Sequence, residues 1–168
     1  IKGDISKLKS IPKSDLIIYS ADKANLKKIK NSKRFLLKSK KSINNFCRLV
    51  KKMKSVKVLY VSSGAIYNYR KKDLFKKKKL LNRDLYTLIK FYSEEQICKL
   101  RNFNIKTSIA RCFTFIGRWL PRNEHFAVGN FINDGLNKKK ILVKSKIRTV
   151  RSYMYANDLA FWLTKIGL

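Results

Sequence analysis

The 168-residue chain is poor in cysteine, and its three cysteines, Cys47, Cys98 and Cys112, lie far apart in the sequence. An odd number of widely spaced cysteines offers neither a disulfide framework nor the paired thiolates of a structural metal site. Long apolar runs are also missing: none approaches the ~18 residues that span a bilayer, and the first residues do not read as a signal peptide. These absences predict a cytoplasmic protein without a metal site or a membrane segment.

Acidic residues are scarce as well, with 10 Asp and Glu against 41 Lys and Arg and a net charge of +31. Such a balance can indicate a nucleic-acid-binding module, in which basic residues cluster among exposed aromatic side chains. Here the lysines are spread over nearly the whole chain, and the aromatic residues fall mostly at strand and core-spaced positions. The pattern favours solvated lysines and predicts no nucleic-acid partner. A basic nucleic-acid-binding module is kept as the hypothesis from a different functional class.

Hydrophobic periodicity predicts strands alternating with helices over most of the chain. The predicted strands cover 15–19, 56–61 and 104–110, and the predicted helices cover 43–53 and 85–100. Because no hairpin turn separates the strands, they should pair in parallel through right-handed crossovers. We therefore predict an α/β fold with a partial, Rossmann-like, doubly wound parallel sheet in a first domain, 1–117.

The alternation weakens in the last third, which we predict to be a second, partial subdomain covering 118–168. It should contain a helix near 129–136, a short strand at 141–144 and a helix from about Asp158. Asp158 is expected to have a structural role at the start of that helix.

Ligands of an open parallel sheet bind beyond the carboxyl ends of its strands. Ser20 and Ala21 follow the first predicted strand, and Ser62 and Ser63 follow the second. Small residues at these neighbouring ends would let a flat cofactor approach the backbone closely.

Tyr86 and Lys90 are four residues apart on the helix after the second strand, so both project from one face. A nearby ammonium stabilises a phenolate, which would let Tyr86 act as a general acid or base toward a hydroxyl or carbonyl. Ser63 could orient the same oxygen. Taken by spacing alone, a packed tyrosine beside a solvated lysine is the commoner explanation of this pair.

The order of these motifs resembles the NAD-dependent epimerase/dehydratase family, extended short-chain dehydrogenases that act on nucleotide sugars. The resemblance covers nearly the whole chain. It rests on Ser-Ser-Gly-Ala-Ile-Tyr at 62–67, Tyr-x-x-x-Lys at 86–90, Arg-Cys-Phe-Thr-Phe-Ile-Gly at 111–117 and the segment 150–160. By this resemblance residues 118–168 would be part of the small substrate-binding subdomain.

The resemblance implies roles for individual residues. Ser63, Tyr86 and Lys90 match the catalytic residues of the family. The implied cofactor contacts are Asp4, Ile5, Ser20, Ala21, Ser62, Tyr86 and Lys90. The implied substrate contacts are Ser63, Thr114, Asn130 and Arg151. The planar guanidinium of Arg151 suits two oxygens of a diphosphate. The alternative interpretations are that Arg151 is another surface cation and that Asn130 is a helix cap.

Glycine is the family residue that is most clearly missing. None of the six glycines has the Gly-x-x-Gly-x-x-Gly spacing of the family's phosphate-binding loop. If Gly3-Asp4-Ile5 ends the family's third strand, that loop lies upstream of Ile1. We then expect a chain truncated at both ends that alone binds NAD poorly and is inactive. Lys38 and Thr114 also stand where relatives often have asparagine.

The family's 4,6-dehydratases carry an Asp-Glu pair directly after the catalytic Ser or Thr, where this chain has Gly64 and Ala65. The resemblance therefore implies a nucleotide-sugar epimerase of surface-polysaccharide or deoxysugar biosynthesis, with an NAD(P)H-dependent 4-keto-sugar reductase as the alternative. Both move a hydride at a nicotinamide while a tyrosine moves the hydroxyl proton. The expected cofactor is NAD, with NADP as the other choice, and the full-length protein is expected to be a homodimer.

Overall fold

The computed structural model describes residues 4–21, 32–53, 55–68, 82–122, 126–143, 145 and 148–168. Its strands are β1 (Leu16–Tyr19), β2 (Lys57–Ser63), β3 (Lys106–Cys112), β4 (Thr114–Ile116) and β5 (Tyr153–Tyr155). Its α-helices are α1 (Ser32–Val50), α2 (Asn82–Cys98), α3 (Ala127–Leu136) and α4 (Ala156–Gly167). Short 3-10 turns cover Ile5–Lys7, Gly64–Asn68 and Lys99–Phe103. The chain forms two compact units, Ile1–Cys112 with Leu163–Leu168, and Phe113–Trp162.

The first unit contains a parallel sheet in the order β1-β2-β3. The central strand β2 is almost continuously apolar, and Val58, Leu59 and Tyr60 are fully buried. A strand with neighbours on both edges and covered faces needs this composition, because neither face is left to water. The α/β class with a parallel sheet is therefore confirmed.

Helix α1 packs an apolar face into the core beside this sheet. Ile43, Phe46, Cys47 and Val50 recur at helical spacing and are all buried in the same core cluster. The ring of Phe46 lies 4.6 Å from that of Tyr19, measured between centroids. The periodicity that predicted a helix over 43–53 thus identified its buried face.

Helix α2 packs on the sheet with an unusual mixture of side chains. Leu85, Ile89 and Ile97 are buried, as their helical spacing predicts. Five polar residues of the same helix are buried too: Asp84, Thr87, Lys90, Ser93 and Glu94. Burying charge is costly unless the charge is paired, so the partners of Lys90 and Glu94 decide how the helix is held.

The second unit contains a two-stranded parallel sheet, in which β4 pairs with β5. Neither strand was predicted. The strand predicted at 141–144 is wrong over its described part: residues 141–143 are exposed and have no regular structure, and Lys144 lies outside the described residues. Three apolar residues are too few to specify a strand, since β-propensity follows from packing against neighbours. Among the described helices, none is long and apolar enough to cross a bilayer.

Candidate active site

Tyr86, Lys90 and Glu94 of α2 are spaced by four residues and therefore follow one face of the helix. Lys90 and Glu94 are 4% and 7% exposed, whereas Tyr86 is half-buried. A half-buried phenol keeps one side open to solvent. The face thus presents a phenol, an ammonium and a carboxylate in sequence, with the phenol nearest the start of the helix.

The buried ammonium of Lys90 has identifiable partners. Its Nζ donates a hydrogen bond to the backbone carbonyl of Val61 at 2.8 Å. The same atom lies 4.9 Å from the ring centroid of Tyr60 and 5.5 Å from that of Tyr86. Cation–π attraction operates within about 6 Å, so both rings help to hold the charge. The pair predicted from four-residue spacing is therefore a real contact, and Lys90 is not a solvated lysine.

Ser63 is the last residue of β2, two residues after the carbonyl that Lys90 binds. It is half-buried, and its Oγ accepts a hydrogen bond from the backbone N–H of Ala65 at 3.2 Å. Ser62 is buried, and its Oγ has no hydrogen-bond partner among the described residues. The structure thus brings Ser63, Tyr86 and Lys90 to the carboxyl end of one central strand.

A second polar connection joins α2 to the end of β3. The guanidinium of Arg111 donates to both carboxylate oxygens of Glu94, Nε to Oε1 at 3.0 Å and Nη2 to Oε2 at 2.8 Å. Its Cζ lies 5.0 Å from the ring centroid of Tyr67. The hydrogen bonds that Arg111 donates to Glu94 and to Tyr67 raise the pKa of its guanidinium. Sequence reasoning assigned Glu94 no role, although its spacing of four from Lys90 was a visible signal.

Asp4 is the N-cap of the 3-10 turn Ile5–Lys7, and both oxygens of its carboxylate have partners. Lys38 Nζ lies 2.8 Å from Oδ2, while the backbone N–H and the hydroxyl of Ser6 donate to Oδ1. The ion pair with Lys38 is the main cause that lowers the pKa of Asp4 to about 2. Ile5 is partly buried against the core, and Gly3 lies outside the described residues.

A surface cavity of about 520 Å³ adjoins Asp4 and Lys38. It is lined by Asp4, Ser6, Lys7, Lys33, Arg34, Leu37, Lys38 and Lys41. Asn45 of α1 holds the neighbouring 3-10 turn, because its Nδ2 donates to the carbonyls of Ile5 and Leu8 at 2.8 and 2.9 Å. Lys38, for which the resemblance implies an asparagine in many relatives, thus binds the carboxylate of Asp4 beside this cavity.

Ser20 and Ala21 follow β1 directly and are exposed. Since Tyr19 pairs with Tyr60 in the parallel register, these residues leave the sheet on the same edge as the Ser62–Ser63 end of β2. Exposed small residues at this end of the sheet leave the backbone accessible to a flat ligand. The neighbouring Asp22 lies outside the described residues.

The remaining predicted contacts belong to the second unit. Thr114 is the half-buried first residue of β4, and Arg151 is exposed just before β5. Asn130 is half-buried inside α3, whose N-cap is Phe126, so Asn130 does not cap the helix. Substrate contact by these three residues stays a prediction.

Comparison with known proteins connects this geometry to a family. A family model described as the NAD dependent epimerase/dehydratase family matches residues 2–166. The chain belongs to this family. The resemblance inferred from the strand-end serines and the Tyr86–Lys90 pair is thereby confirmed. A search of curated proteins found no match to the chain.

Solved structures show the same fold. A GDP-L-fucose synthetase from Naegleria fowleri bound to NADP is 14% identical, with a TM-score of 0.63 over 88% of this chain and 53% of its own. RMD from Pseudomonas aeruginosa complexed with NADPH is 19% identical, with a TM-score of 0.67 over 90% of this chain and 56% of its own. The UDP-glucose 4-epimerase from Thermotoga maritima with UDP-glucose is 15% identical, with a TM-score of 0.64 over 88% of this chain and 50% of its own. The chain thus spans about half the length of these proteins.

Proposed function

We propose that this protein is a cytoplasmic nucleotide-sugar epimerase, in which Tyr86 moves the proton of a sugar hydroxyl. The observation that carries the proposal is the position of Lys90. Its buried ammonium donates a hydrogen bond to the carbonyl of Val61 and lies beside the ring of Tyr86. Val61 precedes Ser63 by two residues in β2. A cation held beside a phenol stabilises the phenolate, which a tyrosine needs if it is to act as a general base. A solvated surface lysine would not provide this.

The residues of the first unit fit a nicotinamide dinucleotide at the edge of the sheet, where the exposed Ser20 and Ala21 would let it lie close to the backbone. Lys90 has donors for ribose hydroxyls, and Asp4 and Ile5 would face the adenine end. When bound, NAD or NADP supplies the hydride acceptor and donor of the reaction. Two of the solved structures carry NADP or NADPH by their descriptions, which supports a nicotinamide cofactor.

The chain's own residues would handle the proton. Ser63 donates a hydrogen bond to the sugar oxygen and orients it, and Tyr86 takes its proton as the ketone forms. Lys90 stabilises the phenolate form in which Tyr86 accepts this proton. Tyr86 returns the proton when the hydride comes back to the opposite face of the sugar. Gly64 and Ala65 offer no carboxyl group to eliminate water, so the ketone is not diverted to dehydration.

Substrate binding is assigned to the second unit. Arg151 is exposed and has the planar donors that suit a diphosphate, and Asn130 and Thr114 would contact the nucleotide sugar. We place the reaction in surface-polysaccharide or deoxysugar biosynthesis and expect the full-length protein to act as a homodimer.

The test is an assay of the full-length protein with UDP-glucose and UDP-glucuronic acid in the presence of NAD, following the C4 epimer by NMR. Tyr86→Phe removes the proton-carrying hydroxyl and should lower kcat by about 10²-fold or more, since positioned acid–base groups contribute about that factor. Cofactor affinity should stay unchanged, because the ring remains.

Tyr92→Phe is the matched control, since Tyr92 lies on the same helix and its hydroxyl donates to Asn44 Oδ1 of α1 at 2.9 Å. It should keep the wild-type kcat. Wild-type turnover by Tyr86→Phe would remove the proposal. Oxidation of NADPH by a nucleotide 4-keto-6-deoxy sugar, without any epimerisation, would instead identify a reductase that uses the same three residues.

A further inference from the structure

Arg111 occupies a position from which it reaches two elements of the proposed active site. It is the next-to-last residue of β3, and it pairs in register with Ser62 of β2. Its guanidinium binds the carboxylate of Glu94 through two hydrogen bonds, at 3.0 and 2.8 Å. Glu94 is buried and lies one helical turn after Lys90. The end of β3 is thereby tied to the face of α2 that carries Tyr86 and Lys90.

The same guanidinium also holds the turn that follows Ser63. Its Cζ lies 5.0 Å from the ring centroid of Tyr67, and a hydrogen bond with Tyr67 contributes to the raised pKa of Arg111. Tyr67 belongs to the 3-10 turn Gly64–Asn68, which begins directly after Ser63. One side chain therefore contacts both the helix of the phenol and the turn of the serine.

We propose that Glu94 and Arg111 are positioning residues, whose ion pair fixes the Ser63 turn against the helix that carries Tyr86 and Lys90. The inference rests on the proposed function. A bidentate pair fixes orientation as well as distance. Catalytic groups must be held within about 0.5 Å of their productive geometry, and the turn's own bond, from Ala65 N–H to Ser63 Oγ, is a long one at 3.2 Å.

A purely structural role for the pair makes a different prediction. If the ion pair only fastens α2 to the sheet, breaking it lowers the amount of folded protein, and each folded molecule still turns over normally. If the pair sets the Ser63 turn, kcat falls in molecules that are fully folded. The two roles are therefore separated by kcat per folded molecule and by the local dynamics of the turn.

The experiment uses Glu94→Gln and Arg111→Lys in the full-length protein. Glu94→Gln keeps the shape of the side chain but removes its charge. Arg111→Lys keeps the charge but loses the paired N–H donors of the planar guanidinium. We expect kcat for epimerisation of UDP-glucose to fall about 10- to 100-fold while KM changes by less than about threefold, because a misplaced group costs turnover rather than binding. The double variant should be no slower than the slower single variant, since both act through one contact.

Hydrogen exchange gives a readout that needs no substrate. The amides of residues 65–67 should exchange about tenfold faster in both variants, while those of β1 stay at the wild-type rate. Arg101→Lys is the matched control: Arg101 binds Thr107 at the start of β3, with Nε to Oγ1 at 2.7 Å and Nη2 to the carbonyl at 3.2 Å. It should change neither kcat nor exchange in the turn.

The outcomes separate the two levels of the proposal. A normal kcat in both variants overturns the positioning role, whether or not the turn exchanges faster, and so does an unchanged turn in variants that have lost activity. If Tyr86→Phe is fully active, the proposed function fails by itself, and the positioning role fails with it. If Tyr86→Phe is inactive and both Glu94→Gln and Arg111→Lys are normal, only the positioning role fails.

Discussion

Lys90 donates a hydrogen bond to the backbone carbonyl of Val61 at 2.8 Å, across the interface between α2 and β2. The bond replaces water for a charge that is almost wholly buried. It also fixes the position of α2 along β2, the strand that ends at Ser63. The contact that makes the lysine tolerable in the core thus also determines where Tyr86 stands relative to the end of β2.

Replacing Lys90 with methionine should destabilise the protein and abolish most of its turnover. The carbonyl of Val61 would be left buried without its donor, which costs about 1–3 kcal/mol. Methionine also removes the cost of burying an ammonium, which offsets part of this loss. We therefore expect the free energy of unfolding to fall by an amount near the lower end of that range. Urea unfolding gives the stability, and epimerisation of UDP-glucose gives kcat, which should fall at least about tenfold because the phenolate loses its cation.

Lys57→Met is the matched control for this change. Lys57 lies on the same strand, and its Nζ also donates to a backbone carbonyl, that of Leu168, but in an exposed place. Its replacement should change the free energy of unfolding by no more than about 0.5 kcal/mol. Equal destabilisation by the two substitutions would show that burial of Lys90 adds nothing.

The sequence predicted the elements whose packing is strongly periodic. The apolar run of β2 and the spacing of Ile43, Phe46 and Val50 identified a buried strand and a helix face, because burial on one or two sides leaves a clear pattern. Helix α1 nevertheless begins at Ser32, eleven residues before its predicted start. Its first turns are rich in lysine, and a solvated helix has no apolar pattern to reveal it.

Strands β4 and β5 could not be predicted, since each is three residues long and their pairing joins positions about forty residues apart. For the site, spacing placed Tyr86 and Lys90 on one face, but only the structure shows the partner of Lys90. The role of Glu94 escaped prediction because its partner, Arg111, lies on another element. The spacing of Glu94 from Lys90 is visible in the sequence, but its pairing with Arg111 depends on the fold.

The ion pair of Asp4 with Lys38 should be visible in the acid titration of the protein. The pKa of Asp4 is lowered from 3.8 to about 2, chiefly by Lys38. Because the folded pKa is the lower one, the pair stabilises the fold above about pH 3.8, and the contribution is lost as the pH falls toward 2. A carboxyl-carbon NMR titration should give a midpoint near 2 for Asp4.

The causal role of Lys38 is tested by Lys38→Met, which should move the Asp4 midpoint upward toward 3.8. Lys41→Met is the control, since Lys41 lines the same cavity. It removes an equal charge and should leave the Asp4 midpoint close to the wild-type value. Equal shifts in both variants would mean that the general positive field, and not the contact at 2.8 Å, sets this pKa.

Cys47 should react slowly with alkylating reagents while the protein is folded. Burial raises its pKa from 9.0 to about 11, and only the thiolate reacts. At pH 8 the thiolate fraction therefore falls about 100-fold relative to the unfolded chain, by the proton equilibrium of one group. Iodoacetamide labelling followed by mass spectrometry of the Cys47 peptide, with and without urea, measures the ratio.

The same pKa has a consequence for stability in alkali. Since the folded pKa is the higher one, the contribution of the buried thiol is complete below pH 9.0 and is lost as the pH rises toward 11. Cys47→Ala should flatten this part of the stability profile, measured by urea unfolding from pH 8 to 11. A wild-type thiol that labels equally fast in both states would contradict the burial seen here.

Two glycines of α3 should respond in opposite directions to the same substitution. A Cβ on Gly129 would lie 2.3 Å from the carbonyl oxygen of Pro121, a backbone atom that a rotamer change cannot move. Gly129→Ala should therefore cost about 1–3 kcal/mol, the usual range for overpacking. A Cβ on Gly135 meets no atom within 4 Å, so Gly135→Ala should stabilise the helix by up to about 0.5–1 kcal/mol through lower backbone entropy in the unfolded chain.

The contrast tests the packing of the segment that precedes Asn130, the proposed substrate contact. Thermal unfolding should rank the proteins Gly135→Ala, wild type and Gly129→Ala, from most to least stable. Because Gly129 directly precedes Asn130 in α3, a displacement of the helix in Gly129→Ala should also raise KM for the proposed nucleotide-sugar substrate, whereas Gly135→Ala should not. Destabilisation of similar size by both alanines would contradict the predicted contrast. It would mean that Pro121 does not pack against Gly129 as the structure has it.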